Sequence, residues 1–458
     1  MDEKKILLIN PHEYYSESII SSSESTMPPL GLLYIAAVLE EKHKVKIIDL
    51  NASNTNIILE IKKHNPDFVG ITSLSPQFPE AIDINKKIKD YNKDIKIIFG
   101  GSHVNAIGNA ILERFPSVDY IIKGEGEKAI EKLINGIRLE EIEGLSFRKN
   151  GKIVDNGIAI IKDLDTLPFP ARHLVDLSKY KESPFYYRFN PNTTFLSSRG
   201  CAYHCIFCDY KARGYPRMQS PKRTVDEIKF LVDKGVKDLR IMDEFFTLDK
   251  NRIKNICDTL IKEKIDVGWC CQTRADAINK ELLTKMKRAG CYLVQYGVET
   301  GNKEIMKKIN KNLDLDKVKK AVEVSKSVGL DVHAFFMLGF PFETKKNILD
   351  TIKFAKSLKS DICEFSIATP YPGTKMWEYT NLDPNDMDVL KNLLFYSPKS
   401  SFFNEAEIKK LFKYALKEFY LRPNVLINTL YKALTKGCIE RRKKLLKNLI
   451  FESPLLRK

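Results

Sequence analysis

The sequence predicts an α/β protein made of two consecutive parallel sheets flanked by helices, followed by a helical C-terminal region. Three observations carry this. Short β-branched runs alternate with amphipathic segments over residues 1–135, the alternation resumes at Thr193, and no strand pattern follows about residue 385. With 458 residues, 43% of them hydrophobic, the chain holds enough apolar material for two to three cored domains. The expected units are residues 1–135, a hairpin and linker over 136–192, a second α/β unit over 193–384 and helices over 385–458.

In the first unit Lys5–Asn10, Val45–Leu50, Phe68–Ser73, Ile95–Gly100 and Tyr120–Lys123 read as strands with helical patterns between them. Parallel strands joined by helices are covered on both faces, so the expected form is doubly wound, Rossmann-like or flavodoxin-like. Ligands then bind at the carboxyl ends of the strands. The unusual residues collect there: Asn10-Pro11-His12, Thr72-Ser73-Leu74-Ser75, Gly100-Gly101-Ser102-His103 and Gly124-Glu125-Gly126-Glu127. Glycine lets backbone approach a ligand closely. No G-x-G-x-x-G follows the first strand, which argues against a dinucleotide.

Gly144–Asp155 reads as a hairpin turning at Asn150-Gly151, and Asp163–Arg172, with Pro168 and Pro170, reads as an irregular connector. Beyond it, strands are expected at Thr194–Ser198, Asp238–Asp243, Val267–Arg274, Tyr292–Val298, Val332–Leu338 and Ile362–Thr369, each followed by a helix. Six such units suggest a partial (β/α)6 barrel, with function at the carboxyl ends of the strands.

Just after the first of these strands lies Cys201-Ala202-Tyr203-His204-Cys205-Ile206-Phe207-Cys208, and no cysteine precedes it. Three thiolates can hold three irons of a [4Fe–4S] cube and leave the fourth iron open for chemistry. The competing readings are zinc, for which only His204 offers a nearby fourth ligand, and a disulfide, out of place without an export signal. Cys257, Cys270, Cys271, Cys291, Cys363 and Cys438 lack metal-ligand spacing and read as buried apolar side chains.

The net charge of +16 is compatible with anionic partners but silent on fold; the lysines are spread widely, as on a solvated surface. The N-terminus shows no signal-peptide pattern and no run of about 18 apolar residues occurs, so a cytoplasmic protein is expected. Near the C-terminus Glu405–Tyr420 and Val425–Thr435 have helical apolar spacing, followed by Arg441-Arg442-Lys443-Lys444. That basic end reads as a solvated face, with peripheral membrane contact as the alternative.

The cysteine loop, with Phe207 and the preceding Thr193–Gly200, resembles that of radical S-adenosylmethionine (SAM) enzymes. The resemblance implies that the open iron chelates SAM and that electron transfer into the sulfonium yields a 5′-deoxyadenosyl radical. It further implies SAM contacts from Phe207, from Asp243 and Glu244 on the amino group, and from Arg274 on the carboxylate or the substrate. Gln295 would also contact SAM, Glu299 would accept from the ribose hydroxyls, and Gly339 and Pro341 would serve the adenine. Without a ligand, Arg274 and Glu299 would read as an ion pair tying strand ends together.

The rim of the first unit, with Met27-Pro28-Pro29-Leu30-Gly31, resembles the cobalamin-binding domain that precedes the radical SAM domain in one large subfamily. This implies cobalamin contacts from Asn10, Pro11, Leu30, Gly31, Ser73, Leu74, Ser75, Gly100, Gly101, His103, Gly124, Glu125, Gly126 and Glu127. The sequence lacks Asp-x-His-x-x-Gly, so the resemblance implies cobalamin with its own base displaced and no histidine on cobalt. His12 and His103 are possible neighbours of the corrin, each otherwise a loop histidine bonded to backbone. A domain that keeps the fold without the cofactor is the other reading.

Together the halves imply a C-methyltransferase that moves methyl from methylcobalamin to a substrate carbon radical. The alternatives are a cyclase or oxidoreductase with the same cofactors and a non-catalytic cobalamin or SAM sensor. Transfer-RNA methylthiolation would expect three further cysteines in the N-terminal domain, and residues 1–200 have none. The expected partners are a small-molecule or lipid substrate and an electron donor such as ferredoxin or flavodoxin, with no nucleic acid.

Overall fold

The computed structural model describes residues 2–12, 26–180, 182, 186–209, 214–391, 403–423 and 425. Strands β1 (Lys5–Asn10), β2 (Lys44–Asp49), β3 (Phe68–Thr72), β4 (Lys96–Gly100) and β5 (Tyr120–Ile122) form a parallel sheet in the order β2-β1-β3-β4-β5. That order is flavodoxin-like, and the direction in which the sheet grows reverses between β1 and β3, the switch point where ligands enter such folds. Alternation along β1 explains the two layers. Leu7 and Ile9 pack under helices Ile57–His64 and Phe78–Tyr91, while Ile6 and Leu8 pack under helices Leu30–Leu39 and Gly126–Ile134.

The hairpin, expected as part of the linker, instead extends this sheet. β6 (Leu145–Lys149) pairs antiparallel with β5, and β7 (Lys152–Asp155) pairs with β6. The turn has positive φ at both Asn150 (50°) and Gly151 (73°), as a tight two-residue hairpin requires. Leu145 and Phe147 point inward and are buried, so the hairpin shields what would otherwise be an apolar sheet edge at β5.

The second sheet contains β8 (Asn192–Phe195), β11 (Asp238–Ile241), β12 (Gly268–Thr273), β13 (Cys291–Glu299), β14 (Asp331–Leu338) and β15 (Ile362–Ile367), all parallel and in sequential order. This is the expected six-unit partial barrel. Two further strands, β9 (Ser198–Arg199) and β10 (Arg217–Met218), form a short antiparallel ribbon that was not expected. The edge strand β15 is covered by helix Glu405–Tyr420, whose Tyr420 hydroxyl donates to the carbonyl of Cys363 (2.7 Å) and accepts from its amide (3.3 Å). Cys257, Cys270, Cys271, Cys291 and Cys363 are buried. Cys438, the expected helix Val425–Thr435 beyond Val425, and the basic run Arg441–Lys444 lie outside the described residues. Among the described residues no helix is long and apolar enough to cross a membrane.

Because Phe147 closes the core of the first sheet, Phe147→Ala should lower stability by about 3–5 kcal/mol in urea unfolding. A loss below about 1 kcal/mol would mean that the hairpin is only a tether.

Candidate functional site

A cavity of about 340 Å³ opens at the carboxyl ends of β1, β3, β4 and β5. Leu8, Gly70, Ile71, Ile98, Phe99 and Ile122 form its floor, and Leu30, Gly31, Tyr34, Ile35, Gly126 and Ile130 its walls. Leu196, Arg199, Gly200 and Glu244 close it from the barrel side, so the cavity belongs to the junction of the two sheets. A Cβ added to Gly31 or Gly100 would meet nothing within 4 Å: each α-carbon faces open space that a side chain would take from a ligand. At Gly101, with φ 99°, a Cβ would come within 2.7 Å of the Ser73 backbone, so the turn itself needs glycine.

Of the residues expected to meet cobalamin, Leu30, Gly31, Gly100, Gly101, Gly124, Glu125, Gly126 and Glu127 line this cavity. Asn10, Pro11, Ser73, Leu74, Ser75 and His103 do not line it. The Asn10 side chain is engaged by Asp49 and Gln77, and the Pro11 carbonyl accepts from Gln77 and Asn51. His103 is fully buried against the Phe78 ring, with Nδ1 3.0 Å from the Ser75 hydroxyl rather than on backbone. Burial pushes its pKa down to about 3, so it is neutral. His12 donates its backbone N–H to Glu80 (2.7 Å). The sequence reading missed Gly70 and Arg199. Glycine in mid-strand was the available signal for the first, since it marks a close approach to backbone.

Glu125 and Glu127 reach across to the ribbon. Glu125 takes Arg199 Nη1 at 3.0 Å and Arg217 Nη1 at 2.5 Å, and Glu127 takes Arg199 Nη2 at 2.7 Å. The Tyr34 ring lies 5.0 Å from the Arg199 guanidinium.

The cysteine loop is pinned to the barrel by backbone. Ile206 N–H donates to the Ile309 carbonyl (3.1 Å), Met376 N–H to the Ile206 carbonyl (2.8 Å) and Asn310 Nδ2 to the His204 carbonyl (2.8 Å). Phe207 packs toward Phe340, with ring centroids 6.0 Å apart. Cys201, Cys205 and Cys208 are not disulfide-bonded, and burial pushes the Cys205 thiol up to about 11 against the pull of the Lys311 ammonium. Among the described residues no three His, Cys, Asp or Glu groups converge on a point that would hold one metal ion, and His204 is exposed. A lone zinc needs such convergence, whereas a cube takes each thiolate on a different iron.

The barrel mouth redistributes the expected SAM contacts. Asp243, expected on the amino group, is fully buried and accepts from Ser197 N–H (2.7 Å), Ser197 Oγ (2.7 Å) and Ser198 Oγ (2.6 Å). Burial raises its pKa, and a buried carboxyl must be satisfied where it sits, so these bonds fix the root of the ribbon. Glu244 faces the junction cavity. Arg274 and Glu299 do not pair with each other. Arg274 grips Asp276 with two bonds (3.0 and 2.8 Å) above the Tyr203 ring, and Glu299 pairs with Lys311 at 2.6 Å. Gln295 is 2% exposed with Nε2 unpartnered, and its register neighbour Gln272 is exposed although β12 is an inner strand of the sheet. Both therefore face the barrel lumen. Gly339 (φ 89°) and Phe340 donate backbone N–H to Glu343 at 2.7 and 3.1 Å, and Pro341 is half-buried beside them.

Comparison with known proteins agrees with this division. The B12 binding domain family matches residues 17–134 and the Radical SAM superfamily residues 195–355. A protein called an uncharacterized methyltransferase, from Pyrococcus horikoshii, is 34% identical over 94% of this chain and 96% of its own. The chain belongs to the cobalamin-binding radical SAM family. It is a radical SAM enzyme, and the cofactors of the family are a [4Fe–4S] cluster, SAM and cobalamin. The anaerobic magnesium-protoporphyrin IX monomethyl ester cyclase of Rubrivivax gelatinosus is 27% identical over 82% of this chain and 69% of its own. The fold matches that of the cobalamin-dependent S-adenosylmethionine radical enzyme OxsB, with a TM-score of 0.73 and 19% identity, over 96% of this chain and 72% of that one.

Glu343 gives this site a pH signature. Burial raises its pKa from 4.5 to about 7, against the two backbone donors. The folded chain therefore holds a proton that the unfolded chain releases, and stability falls as pH rises between those values. Glu343→Gln should flatten the stability profile from about pH 5 to about pH 8, removing a slope worth up to about 3 kcal/mol. Equal slopes in denaturant titrations of the two proteins would place the carboxylate in water.

Proposed function

We propose that this enzyme is a C-methyltransferase. When bound, the cluster and SAM would supply the radical that activates a substrate carbon, and cobalamin would supply the methyl group. The observation that carries the reading is the shared wall of the junction cavity. Gly31 and Gly100, whose open faces leave room for a ligand, share it with Gly200, which directly precedes Cys201, and with Glu244 at the barrel mouth. Cofactors held on either side would meet in one space.

In this proposal Cys201, Cys205 and Cys208 hold three irons, and the Lys311 ammonium offsets the negative charge that thiolates bring near Cys205. Arg274, already oriented by Asp276 and Tyr203, presents a fixed cation to the SAM carboxylate. Glu299, held by Lys311, accepts from ribose hydroxyls, and the lumen amide of Gln295 donates to SAM or substrate. Phe207, Phe340 and Phe342 form an apolar wall that keeps water from the reacting carbon. The loop Gly339–Pro341, stapled by Glu343, offers backbone for the adenine. The substrate is a small molecule or lipid and the electron donor a ferredoxin or flavodoxin, in a reducing cytoplasm that suits the cluster.

The Pyrococcus relative supports methyl transfer. The cyclase relative supports a second reading, with the same cofactors and no methyl transfer. A pure sensor would not need the three cysteines. Oxygen-free reconstitution with iron, sulfide and hydroxocobalamin should give about four irons and one base-off cobalamin per chain, by metal analysis with ultraviolet-visible and EPR spectra. Gly31→Leu should lose cobalt at least about ten-fold while keeping iron, since about 1.4 kcal/mol of steric cost suffices. Cys205→Ala should lose the cluster. With SAM, reductant and extracts of candidate substrates, methyl transfer yields both 5′-deoxyadenosine and S-adenosylhomocysteine. Formation of 5′-deoxyadenosine alone would transfer the assignment to the cyclase class.

A further inference from the structure

The ribbon β9–β10 encloses the whole cysteine loop. Arg199 and Arg217 are directly opposite each other on it, and residues 200–216 between them include all three cysteines. Two guanidinium groups in register repel, and the side chains are only 15% and 4% exposed, so water screens them little. What makes the pairing tenable comes from the other sheet. Glu125 bridges the two arginines with its two oxygens, at 3.0 and 2.5 Å, and Glu127 holds Arg199 at 2.7 Å. The second Glu125 oxygen also accepts from Ile161 N–H (2.6 Å), and Arg217 donates to the Ile161 carbonyl (2.8 Å). Two cations and two anions thus close the gap between the sheets.

Both ends of this network are sterically set. Gly124 (φ 89°), just before the glutamates, lies so close to Ala159 that a Cβ would come within 2.1 Å of its carbonyl oxygen. Gly200 (φ 86°), at the root of the cysteine loop, is pressed against the Tyr215 carbonyl at 2.4 Å by the same measure. The carboxylates and the loop root have little freedom to adjust separately. Glu125, Glu127, Arg199 and Gly200 all line the junction cavity, so a ligand there touches the network that holds the loop.

Resting on the cobalamin reading above, we infer that Arg199 and Arg217 are positioning residues that register the cluster loop on the cobalamin cavity through Glu125 and Glu127. Occupation of the cavity and assembly of the cluster are thereby coupled. An ordered ribbon presents Arg199 and Gly200 as a finished cavity wall, and a filled cavity holds the ribbon in the geometry that brings the cysteines together. Such coupling is reciprocal: the factor by which the cluster tightens cobalamin equals the factor by which cobalamin tightens the cluster. A network that merely glued the sheets together would raise stability and leave both factors at one.

Hydroxocobalamin is the probe, titrated into full-length protein without oxygen, before and after cluster reconstitution, with binding read from the visible spectrum. The expected result is binding at least about ten-fold tighter in the reconstituted protein, a typical size for coupling between sites. Iron release to a chelator should slow correspondingly when hydroxocobalamin is present. The neutral pair Arg199→Gln with Glu127→Gln, which leaves no unpaired charge, should bring both ratios toward one; because both residues line the cavity, the readout is the ratio with and without the other cofactor and not the absolute affinity. Equal affinity with and without the cluster in the wild-type protein would overturn the inference, as would ratios unchanged in the neutral pair. Failure to bind hydroxocobalamin in either state would instead overturn the cobalamin reading on which it rests. The wild-type ratio needs no variant to fold.

Discussion

Four ionised side chains decide how the two halves of this protein meet. Glu125 and Glu127 follow the last parallel strand of the first sheet, Arg199 and Arg217 stand on the ribbon that follows the first barrel strand, and they neutralise one another where water is scarce. Removing any one would strand a buried charge, a cost several times that of losing a surface pair. The arrangement in turn fixes what each half can offer. Strands β1–β5 run parallel and so do the six barrel strands, so both sets present loops at their carboxyl ends, and the ion network makes those two sets of loops share a cavity.

The same logic of buried charge runs through the barrel mouth. Charged groups that the sequence placed at the ends of barrel strands are already partnered: Asp243 by two serines, Arg274 by Asp276, Glu299 by Lys311. Partnership does not have one meaning. Asp243 accepts three bonds in full burial and has become part of the scaffold, whereas Arg274, held by Asp276, the Lys311 carbonyl and the Tyr203 ring, and Glu299, held by Lys311, stand at the barrel mouth. Glu343 is the intermediate case, with one oxygen occupied by two backbone donors and the other buried without a partner. A carboxyl so placed holds its proton to near neutrality and ties down the backbone at Gly339 and Phe340.

Much of this was legible in the residues. β-branched runs bounded by turn residues announced each major strand, because a strand covered on both faces must be apolar along its length. The cysteine spacing pointed to the cluster, and the glycines at strand ends marked part of the cavity lining. Less visible were contributions made by position in space. The hairpin at Asn150-Gly151 was readable as a hairpin, but its role as an edge strand depends on Phe147 finding Tyr120 across the sheet. His103 looked like a rim residue because it follows two glycines; helix geometry turns it down onto Ser75 and Phe78.

Local sequence settled the local units: which long segments are strands of the two sheets, where glycine must stand, and which three thiols share a loop. These follow from periodicity and spacing within a few residues, and backbone sterics and side-chain alternation act over that range. Tertiary structure alone decided which charges pair, since Glu125 and Arg199 are 74 residues apart and Glu125 and Arg217 are 92 apart. It also decided that Asp243 is scaffold and that the two sets of strand ends face one cavity. A charged residue carries no mark of its partner in the chain around it, and only packing, by excluding water, makes that partner obligatory.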